Sequence, residues 1–322
     1  MWPEIFRVFG VPLRSFGFFV AMGFLVGVQV ASRLSRTYGS DPEKDADRIP
    51  DLSWTVLLGV LIGARIAYVL VNLDVFMADP ISILKIWEGG LVMYGGLILA
   101  LILGLRKTRK LQMNPLQTAD YVLPAAFLGQ TIGRIGCLAV GDDFGKPVAL
   151  NADGSAPWWA VTFPSPLKQG SAFPPYLTEV ALHPTQLYMS LKAFLLFALG
   201  MWLLRRKKFH GQVMCVMMAG YAVLRSIVEI FRGDAQARGG IFKSGLSPED
   251  VGSRLHELGV ANQSGHIMNY VGYRDLLRRG VEGVQAELLI STSQMVAAVT
   301  FVIMVAIYMR LKSKAEPLLA QS

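Results

Sequence analysis

The sequence predicts an all-α, polytopic integral membrane protein with seven transmembrane helices and a small extracytoplasmic head. Of its 322 residues, 53% are hydrophobic and only 17% are charged, and the mean hydropathy is +0.43. Soluble globular proteins carry roughly 25% charged residues. The 32 glycines and 6 tryptophans are typical of helices in lipid, where small residues allow close packing and tryptophan lies at the interfaces. This composition excludes a disordered chain and argues against an ordinary soluble enzyme.

Seven apolar runs approach the length of about 20 residues that a helix needs to cross a bilayer. They are residues 15–32, 54–72, 90–105, 118–139, 184–203, 212–231 and 289–309. Residues 1–15 lack the charged start, apolar centre and small-residue cleavage site of a removable signal peptide, so we expect the first run to remain as a helix. The third run is short and the fourth contains polar residues, so hydropathy alone ranks these two lowest.

The basic residues lie mainly in alternate connections between these runs. They are Arg33, Arg36, Lys44 and Arg48, then Arg106, Lys107, Arg109 and Lys110, then Arg205, Arg206, Lys207 and Lys208, and finally Arg310, Lys312 and Lys314. Because cytoplasmic loops carry an excess of Lys and Arg, this pattern predicts an outer N-terminus and a cytoplasmic C-terminus. Topology thus explains the net charge of +8 better than a nucleic-acid partner does, and we expect no nucleic acid.

Two outer segments are long enough to fold outside the bilayer. Residues 140–182 are rich in Pro, Gly, Ser and aromatic residues, and residues 233–288 contain two amphipathic stretches. We therefore divide the chain into three parts. Residues 1–232 contain helices one to six, an active-site cavity and the outer loop. Residues 233–288 form the head, and residues 289–322 form the seventh helix and a cytoplasmic tail.

Charged side chains inside the apolar runs are candidates for function. Each costs about 2.5–3.5 kcal/mol at the bilayer centre on insertion scales. They are Arg65, Asp120, Arg134, Arg225 and Glu229. One alternative is an internal ion pair, because Arg225 and Glu229 stand four residues apart on one helix face. The excess of arginine over acid nevertheless favours an anionic ligand, for which phosphate is the natural candidate.

Glycine placement separates helix packing from possible function. The pairs Gly23/Gly27, Gly59/Gly63 and Gly129/Gly133 have the spacing of close helix–helix contacts. The stretch Gly89–Gly96 instead places two glycine pairs around Tyr94, which permits a bent or re-entrant backbone near the outer boundary. Tyr94 could equally be a tyrosine of the membrane interface.

Four separated motifs resemble those of one family, the prolipoprotein diacylglyceryl transferases of bacterial inner membranes. The motifs are Tyr94-Gly95-Gly96, Gly133-Arg134-Ile135-Gly136 followed by Gly141 and Gly145, His183-Pro184-Thr185-Gln186-Leu187-Tyr188, and Arg225 through Glu229 to Arg232 and Asp234-Ala235-Gln236. They lie in order across most of the chain. Seven helices with an outer N-terminus are also what this family has.

The resemblance implies a reaction, its partners and a location. The diacylglyceryl group of phosphatidylglycerol would move to the thiol of the lipobox cysteine of a preprolipoprotein, releasing glycerol phosphate. No metal and no diffusible cofactor are implied, and membrane lipids surround the protein, which we expect to be monomeric. The location would be the bacterial inner membrane, with a multi-pass chain whose active site faces the periplasm.

The resemblance also implies roles for residues. Arg134 and Arg225 would bind the phosphate and stabilise its developing charge, and Tyr94 would position the phosphate or relay a proton. Gly95, Gly96 and Gly145 would complete the lipid-binding and phosphate-binding set. Supporting roles fall to Glu229, which would orient Arg225, and to His183, Gln186, Tyr188, Asp142 and Arg65.

This sequence departs from the common family pattern at four positions. Many members have His at the position of Tyr94, Asn at Cys137, Glu at Met189 and Tyr at Phe16, so the general base is not identified. We interpret Cys137 as a small core residue rather than a covalent nucleophile. Two other functions therefore stay open: a transporter of an anionic lipid, and a non-catalytic lipoprotein-binding or sorting paralogue.

Overall fold

The computed structural model describes residues 2–8, 11–85, 90–235 and 238–315, and these residues are mostly helical. The α-helices are α1 Ser15–Tyr38, α2 Pro42–Val71, α3 Leu73–Ala78, α4 Met93–Lys110, α5 Pro115–Val140, α6 Thr185–Leu204, α7 Gln212–Ile230, α8 Pro248–Glu257, α9 Tyr270–Arg278 and α10 Thr292–Lys314. Short 3-10 helices cover Pro80–Leu84 and Pro175–Leu177.

Each of the seven apolar runs forms a helix, but the helices differ in how well they suit a bilayer. Within the described ranges, six are long and apolar enough to cross a membrane: α1, α2, α5, α6, α7 and α10. Helix α4 has 18 residues and carries Lys107, Arg109 and Lys110 in its last turn, so it falls outside this set of six. The structure therefore confirms a helical membrane protein, while a count of seven spans and their orientation remain predictions.

Helix α2 begins well before the apolar run that predicted it. Asp41 caps its first turn by accepting from the Lys44 backbone N–H at 3.3 Å, and Pro42 occupies the first helical position. The buried Asp45 carboxylate accepts from the backbone N–H groups of Ser40 and Asp41 at 2.8 and 3.0 Å. Because hydropathy detects only the apolar part, it missed this capped polar start.

The chain divides into two compact units, of which the second contains Gly27–Ala126 and Gly200–Met214. In this unit α2 and α4 pack along each other. A Cβ atom added to Gly63 would lie 2.5 Å from the Gly95 carbonyl oxygen, and one on Gly59 would lie 2.9 Å from Ala100 Cα. The predicted packing role of Gly59 and Gly63 is therefore confirmed.

Asp120 has a structural role in the same unit. Its buried carboxylate accepts from the backbone N–H groups of Gly211 and Met214, both at 2.9 Å, and lies 3.4 Å from Lys207 Nζ. These N–H groups belong to the start of α7, where backbone donors have no partner within the helix. Asp120 therefore caps the start of α7, and this role accounts for its charge inside an apolar run.

The first unit contains Met1–Val26, Phe127–Leu199 and Cys215–Ala315. Helices α1 and α5 approach closely here, because a Cβ atom on Gly23 would lie 2.4 Å from the Gly129 carbonyl oxygen. Three antiparallel two-stranded sheets complete the unit: β1 Glu4–Val8 with β2 Val11–Arg14, β3 Val161–Thr162 with β4 Ala181–Leu182, and β5 Gly240–Phe242 with β6 Leu288–Ser291. These short strands lie outside the long helices and were not predicted from the sequence.

The outer segments share one hydrophobic core in this unit. Leu182 belongs to the same buried cluster as Leu255 of α8 and Tyr273 of α9, and all three are almost fully buried. The Phe163 and Phe173 rings pack in the same core with their centroids 4.2 Å apart. Residues 140–182 and 233–288 thus fold together, while the three-part division of the chain remains a prediction.

Candidate active site

Four arginines and three carboxylates form a continuous chain of ion pairs in the first unit. In order along the chain they are Arg134, Asp143, Arg232, Asp234, Arg238, Glu229 and Arg225. The signs alternate and both ends are cations, so the net charge is +1. Such an arrangement pairs every interior charge, which is what a partly buried ionic group requires.

The turn after α5 carries Asp143, and the start of α6 holds that turn in place. Asp143 adopts a φ of +54°, a left-handed conformation that Asp tolerates better than most residues. The Thr185 hydroxyl donates to the Asp143 carbonyl oxygen at 2.6 Å, and the Gln186 amide donates to the Asp142 carbonyl oxygen at 2.7 Å. Gln186 thus supports the site through the backbone of this turn.

Asp142 lies beside this ion-pair chain rather than in it. Its side chain is exposed, and its carboxylate accepts from the Asp143 backbone N–H at 2.8 Å. Burial opposes ionisation of Asp143, but the guanidinium groups of Arg232 and Arg134 outweigh it and lower the pKa of Asp143. The two neighbouring aspartates therefore differ in their contacts: Asp143 binds two arginines, whereas Asp142 accepts from a backbone N–H.

A close backbone contact brings Asp143 beside Arg232. Gly145 pairs with Arg232 in an antiparallel bridge, and the Gly233 N–H donates to the Phe144 carbonyl oxygen at 3.0 Å. A Cβ atom on Gly145 would lie 2.2 Å from the His183 carbonyl oxygen. Gly145 is therefore required by the packing of three backbone segments, and its predicted contact with phosphate remains a prediction.

The two arginines that were predicted to bind phosphate stand at opposite ends of the ion-pair chain. Arg134 on α5 contacts Asp143 and lies 3.8 Å from Cys137 Sγ, and its side chain is 25% exposed. Arg225 on α7 contacts Glu229 and donates to the Ser293 hydroxyl at 3.2 Å. The internal pair of Arg225 with Glu229 is therefore confirmed. Glu229 also contacts Arg238, so its negative charge is shared between two arginines.

His183 lies in an aromatic environment at the start of α6. Its ring centroid is 5.2 Å from that of Trp159 and 5.0 Å from that of Phe231, and its Nδ1 is 3.3 Å from the Tyr188 hydroxyl. Burial and the nearby Lys146 ammonium lower the pKa of His183. The imidazole is therefore neutral at pH 7 and is a hydrogen-bonding group.

Arg65 belongs to the second unit, where its guanidinium binds backbone carbonyl groups. Its guanidinium donates to the carbonyl oxygens of Ile83, Ser82 and Gly90 at 2.9, 2.5 and 3.1 Å. It also lies over the Phe76 ring, 5.3 Å from the centroid. Arg65 thus fixes the segment that precedes α4.

Tyr94, Gly95 and Gly96 form the first turn of α4 in that unit. The backbone before them is not helical, because Gly90 has a φ of +73° and α4 begins only at Met93. Gly89 lies outside the described residues, and a re-entrant backbone stays a prediction. Added Cβ atoms would lie 2.2 Å from the Ala67 Cβ for Gly95 and 2.7 Å from the Val60 carbonyl oxygen for Gly96. Both glycines thus serve packing against α2, and the ligand roles of the motif remain predictions.

Two charged residues of the first unit were missed by the sequence analysis. Arg238 lies in a connection with no local signal, and only the fold brings it to Glu229 and Asp234. Lys192 stands inside the apolar run 184–203, so the same criterion that selected Arg134 would have found it. Gln236, the last residue of the fourth motif, lies outside the described part of the chain.

Comparisons with known proteins identify the family of this chain. A family model described as prolipoprotein diacylglyceryl transferase matches residues 3–310. Three similar proteins are named phosphatidylglycerol–prolipoprotein diacylglyceryl transferase. The one from Vibrio vulnificus (strain YJ016) is 32% identical over 277 residues, which cover 84% of this chain and 94% of the relative.

The second relative, from Pasteurella multocida (strain Pm70), is 34% identical over 238 residues, covering 73% of this chain and 80% of its own length. The third, from Clostridium tetani (strain Massachusetts / E88), is 31% identical over 234 residues, covering 73% of this chain and 86% of its own length. Both the family match and these relatives extend over most of the sequence. The chain therefore belongs to the prolipoprotein diacylglyceryl transferase family.

Proposed function

We propose that this protein transfers the diacylglyceryl group of phosphatidylglycerol to the thiol of a lipobox cysteine in a preprolipoprotein, with release of glycerol phosphate. Family membership supports both substrates. The observation that carries the proposal is the ion-pair chain with an arginine at each end. It supplies organised positive charge in a helical membrane protein, where an anionic lipid head group needs it.

The reaction forms one bond, breaks another and transfers one proton. The thiol sulfur forms a bond to the glyceryl carbon, the bond from that carbon to a phosphate oxygen breaks, and its electron pair remains on the leaving phosphate. The thiol proton must go to a base. Arginine serves the phosphate well, because its planar fork donates paired, charge-assisted hydrogen bonds to anionic oxygens.

Arg134 is organised for this task before substrate binds. Its Nη1 contacts Asp143, whereas Nε and Nη2 have no hydrogen-bond partner among the described residues. Asp143 is itself held by Arg232 and by the Thr185 hydroxyl at the start of α6. The guanidinium is therefore oriented by one edge and leaves its other donors for a ligand, so little rearrangement is needed during reaction.

Glu229 gives Arg225 the corresponding support, in agreement with the orienting role that the resemblance implies. Its side chain is 2% exposed, and its two oxygens contact different arginines, Arg225 and Arg238. Tyr94 keeps its predicted role of positioning phosphate or relaying a proton, which rests on the resemblance alone.

We also propose that α4 is the seventh span, with the N-terminus outside and the C-terminus in the cytoplasm of a bacterial inner membrane. Basic residues in the last turns of α1, α4 and α10 support this orientation. The site residues Asp143 and Arg232 follow the opposite, outer ends of α5 and α7 in that topology. The active site would then face the periplasm, and the protein would act as a monomer.

The test is transfer of labelled diacylglyceryl from phosphatidylglycerol vesicles to a lipobox peptide by the purified, reconstituted protein. A mass increase of one diacylglyceryl group on the peptide thiol is expected. For Arg134→Ala we expect a loss of roughly 100-fold or more in kcat, the usual effect of removing one donor to a developing oxyanion. Arg279→Ala removes an arginine whose side chain is 72% exposed in the head, and it should retain wild-type activity.

The alternatives give different results in the same preparation. A lipid transporter would move labelled phosphatidylglycerol between leaflets without modifying the peptide, and a sorting paralogue would bind the peptide without transfer. Absence of transfer by folded wild-type protein with both substrates present would reject the proposed function. Equal activity in Arg134→Ala and Arg279→Ala would reject the role of the arginine.

A further inference from the structure

Lys192 is a buried cation that has no carboxylate partner among the residues that the structure describes. It lies on α6 and is only 4% exposed. Its Nζ sits 4.2 Å from the centroid of the Tyr221 ring, and within the described ranges no carboxylate lies at ion-pair distance from it. A cation–π contact compensates only part of the hydration that a buried ammonium loses. The four arginines of the ion-pair chain, by contrast, are all paired.

Lys192 lies near the helical turns that carry the two arginines predicted to bind phosphate. Its ring partner Tyr221 lies on α7, four residues before Arg225. On the other side, the Ser190 hydroxyl of α6 donates to the Thr131 carbonyl oxygen of α5 at 2.9 Å, and Thr131 precedes Arg134 by three residues. Lys192 therefore lies where α6 faces the helical turns that carry Arg134 and Arg225.

The charges around Lys192 are mostly positive. Those that act on its ammonium belong to Arg225, Arg134, Glu229 and Arg232. The ion-pair chain has four cations and three anions, a net charge of +1, and Lys192 raises the cluster to +2. A buried cluster with an excess of positive charge is stabilised by an anion that balances this excess.

The proposed reaction supplies such an anion in two stages. The phosphodiester of phosphatidylglycerol carries one negative charge. When the bond from the glyceryl carbon to the phosphate oxygen breaks, its electron pair stays on phosphate, and glycerol phosphate leaves with a second negative charge. A further cation beside the ion-pair chain, such as Lys192, would interact more strongly with the departing product than with the substrate.

We propose that Lys192 is a third phosphate-binding residue, whose ammonium contacts the lipid phosphate and stabilises the negative charge that develops as glycerol phosphate leaves. The inference rests on the proposed function. An interaction that strengthens as the bond breaks raises kcat more than it tightens substrate binding. Lys192 is therefore a catalytic residue whose removal lowers kcat rather than raising KM for phosphatidylglycerol.

The experiment compares Lys192→Met, Lys192→Gln and Lys192→Arg with Lys312→Met, which removes an exposed lysine near the end of α10. In the transfer assay we expect both neutral variants to lose at least 10-fold in kcat with less than threefold change in KM. Lys192→Arg should recover most of that loss, and Lys312→Met should match wild type. A kcat within twofold of wild type in a folded neutral variant would overturn the proposal, as would an effect on KM alone.

A second readout separates this proposal from the proposed function. Glycerol phosphate is added as a probe, and its binding is measured by thermal shift of the detergent-solubilised proteins. We expect Lys192→Met and Lys192→Gln to bind it at least 10-fold more weakly than wild type and Lys192→Arg. If wild type fails to transfer lipid but shows this difference, the transferase function fails while the phosphate contact stands. Equal binding in all variants would reject the contact itself, with or without transfer.

Discussion

Asp143 is the residue whose removal tests the ion-pair chain most directly. Its two carboxylate oxygens contact different arginines, Arg134 and Arg232, which lie on segments 98 residues apart in sequence. Asp143→Asn keeps the shape of the side chain, removes the charge and leaves one oxygen acceptor. The variant therefore breaks one of the two arginine contacts and weakens the other without creating a cavity.

The magnitude follows from the burial of the pair. Removing one partner of a fully buried ion pair costs about 3–5 kcal/mol. The Asp143 side chain is 20% exposed and asparagine retains one acceptor, so we expect roughly half of that, about 2 kcal/mol. If the loss falls on the orientation of Arg134 in the transition state, it corresponds to roughly 30-fold in kcat/KM.

The assay is lipid transfer by Asp143→Asn, with the temperature of half-inactivation measured on the same reconstituted samples. Asp275→Asn is the matched control, because its ion pair with Arg279 is exposed on the head. We expect the control to behave as wild type. A kcat/KM for Asp143→Asn above half that of wild type, with an unchanged inactivation temperature, would refute the reasoning that the chain orients Arg134.

Two further predictions concern packing and pH. Gly145→Ala places a Cβ atom 2.2 Å from the His183 carbonyl oxygen, so we expect about 1–3 kcal/mol of destabilisation and reduced transfer. The control is Gly17→Ala, whose added Cβ meets no atom within 4 Å and should change neither stability nor transfer. Equal inactivation temperatures for the two variants would contradict the close contact at Gly145. The pKa of Asp143 is lowered in the folded protein from its ordinary value of 3.8, so its stabilisation is fully present above that value and is lost only as pH falls through the lowered pKa. The difference in inactivation temperature between wild type and Asp143→Asn should therefore stay constant from about pH 5 to 8, and a difference that disappears by pH 6 would show that Asp143 is not held ionised by its arginines.

The sequence predicted those parts of the fold that depend on local composition. All seven apolar runs are helices, because burial in lipid requires continuous apolar residues whose backbone groups pair within the segment. The boundaries were less accurate where polar residues extend a helix, as at α2, whose start depends on the Asp41 cap. The pairing of β5 with β6 and the shared core of 140–182 with 233–288 were not predicted, since both arise from contacts between distant segments. The β1–β2 hairpin is local and was missed as well.

In the candidate site, too, local signals were predicted and contacts between distant segments were not. Arg134 and Arg225 were identified because a charged side chain in an apolar run is a local signal. The neighbours that organise them were not assigned: Asp143 meets Arg232 through the backbone bridge between Gly145 and Arg232, a contact that no local pattern encodes. Lys192 was detectable by the criterion that found the arginines.

The choice of side chains in the ion-pair chain follows from its geometry. Each interior arginine must bind two carboxylates at once, and Arg232 does so with Asp143 and Asp234. A planar guanidinium presents donors on several edges, whereas a lysine ammonium is a compact, strongly hydrated point charge. Arginine thus suits the paired interior positions of the chain. In the proposal made above, lysine suits position 192, which has no carboxylate partner among the described residues, because a single ammonium would approach one phosphate without competing for the carboxylates that hold the arginines in place.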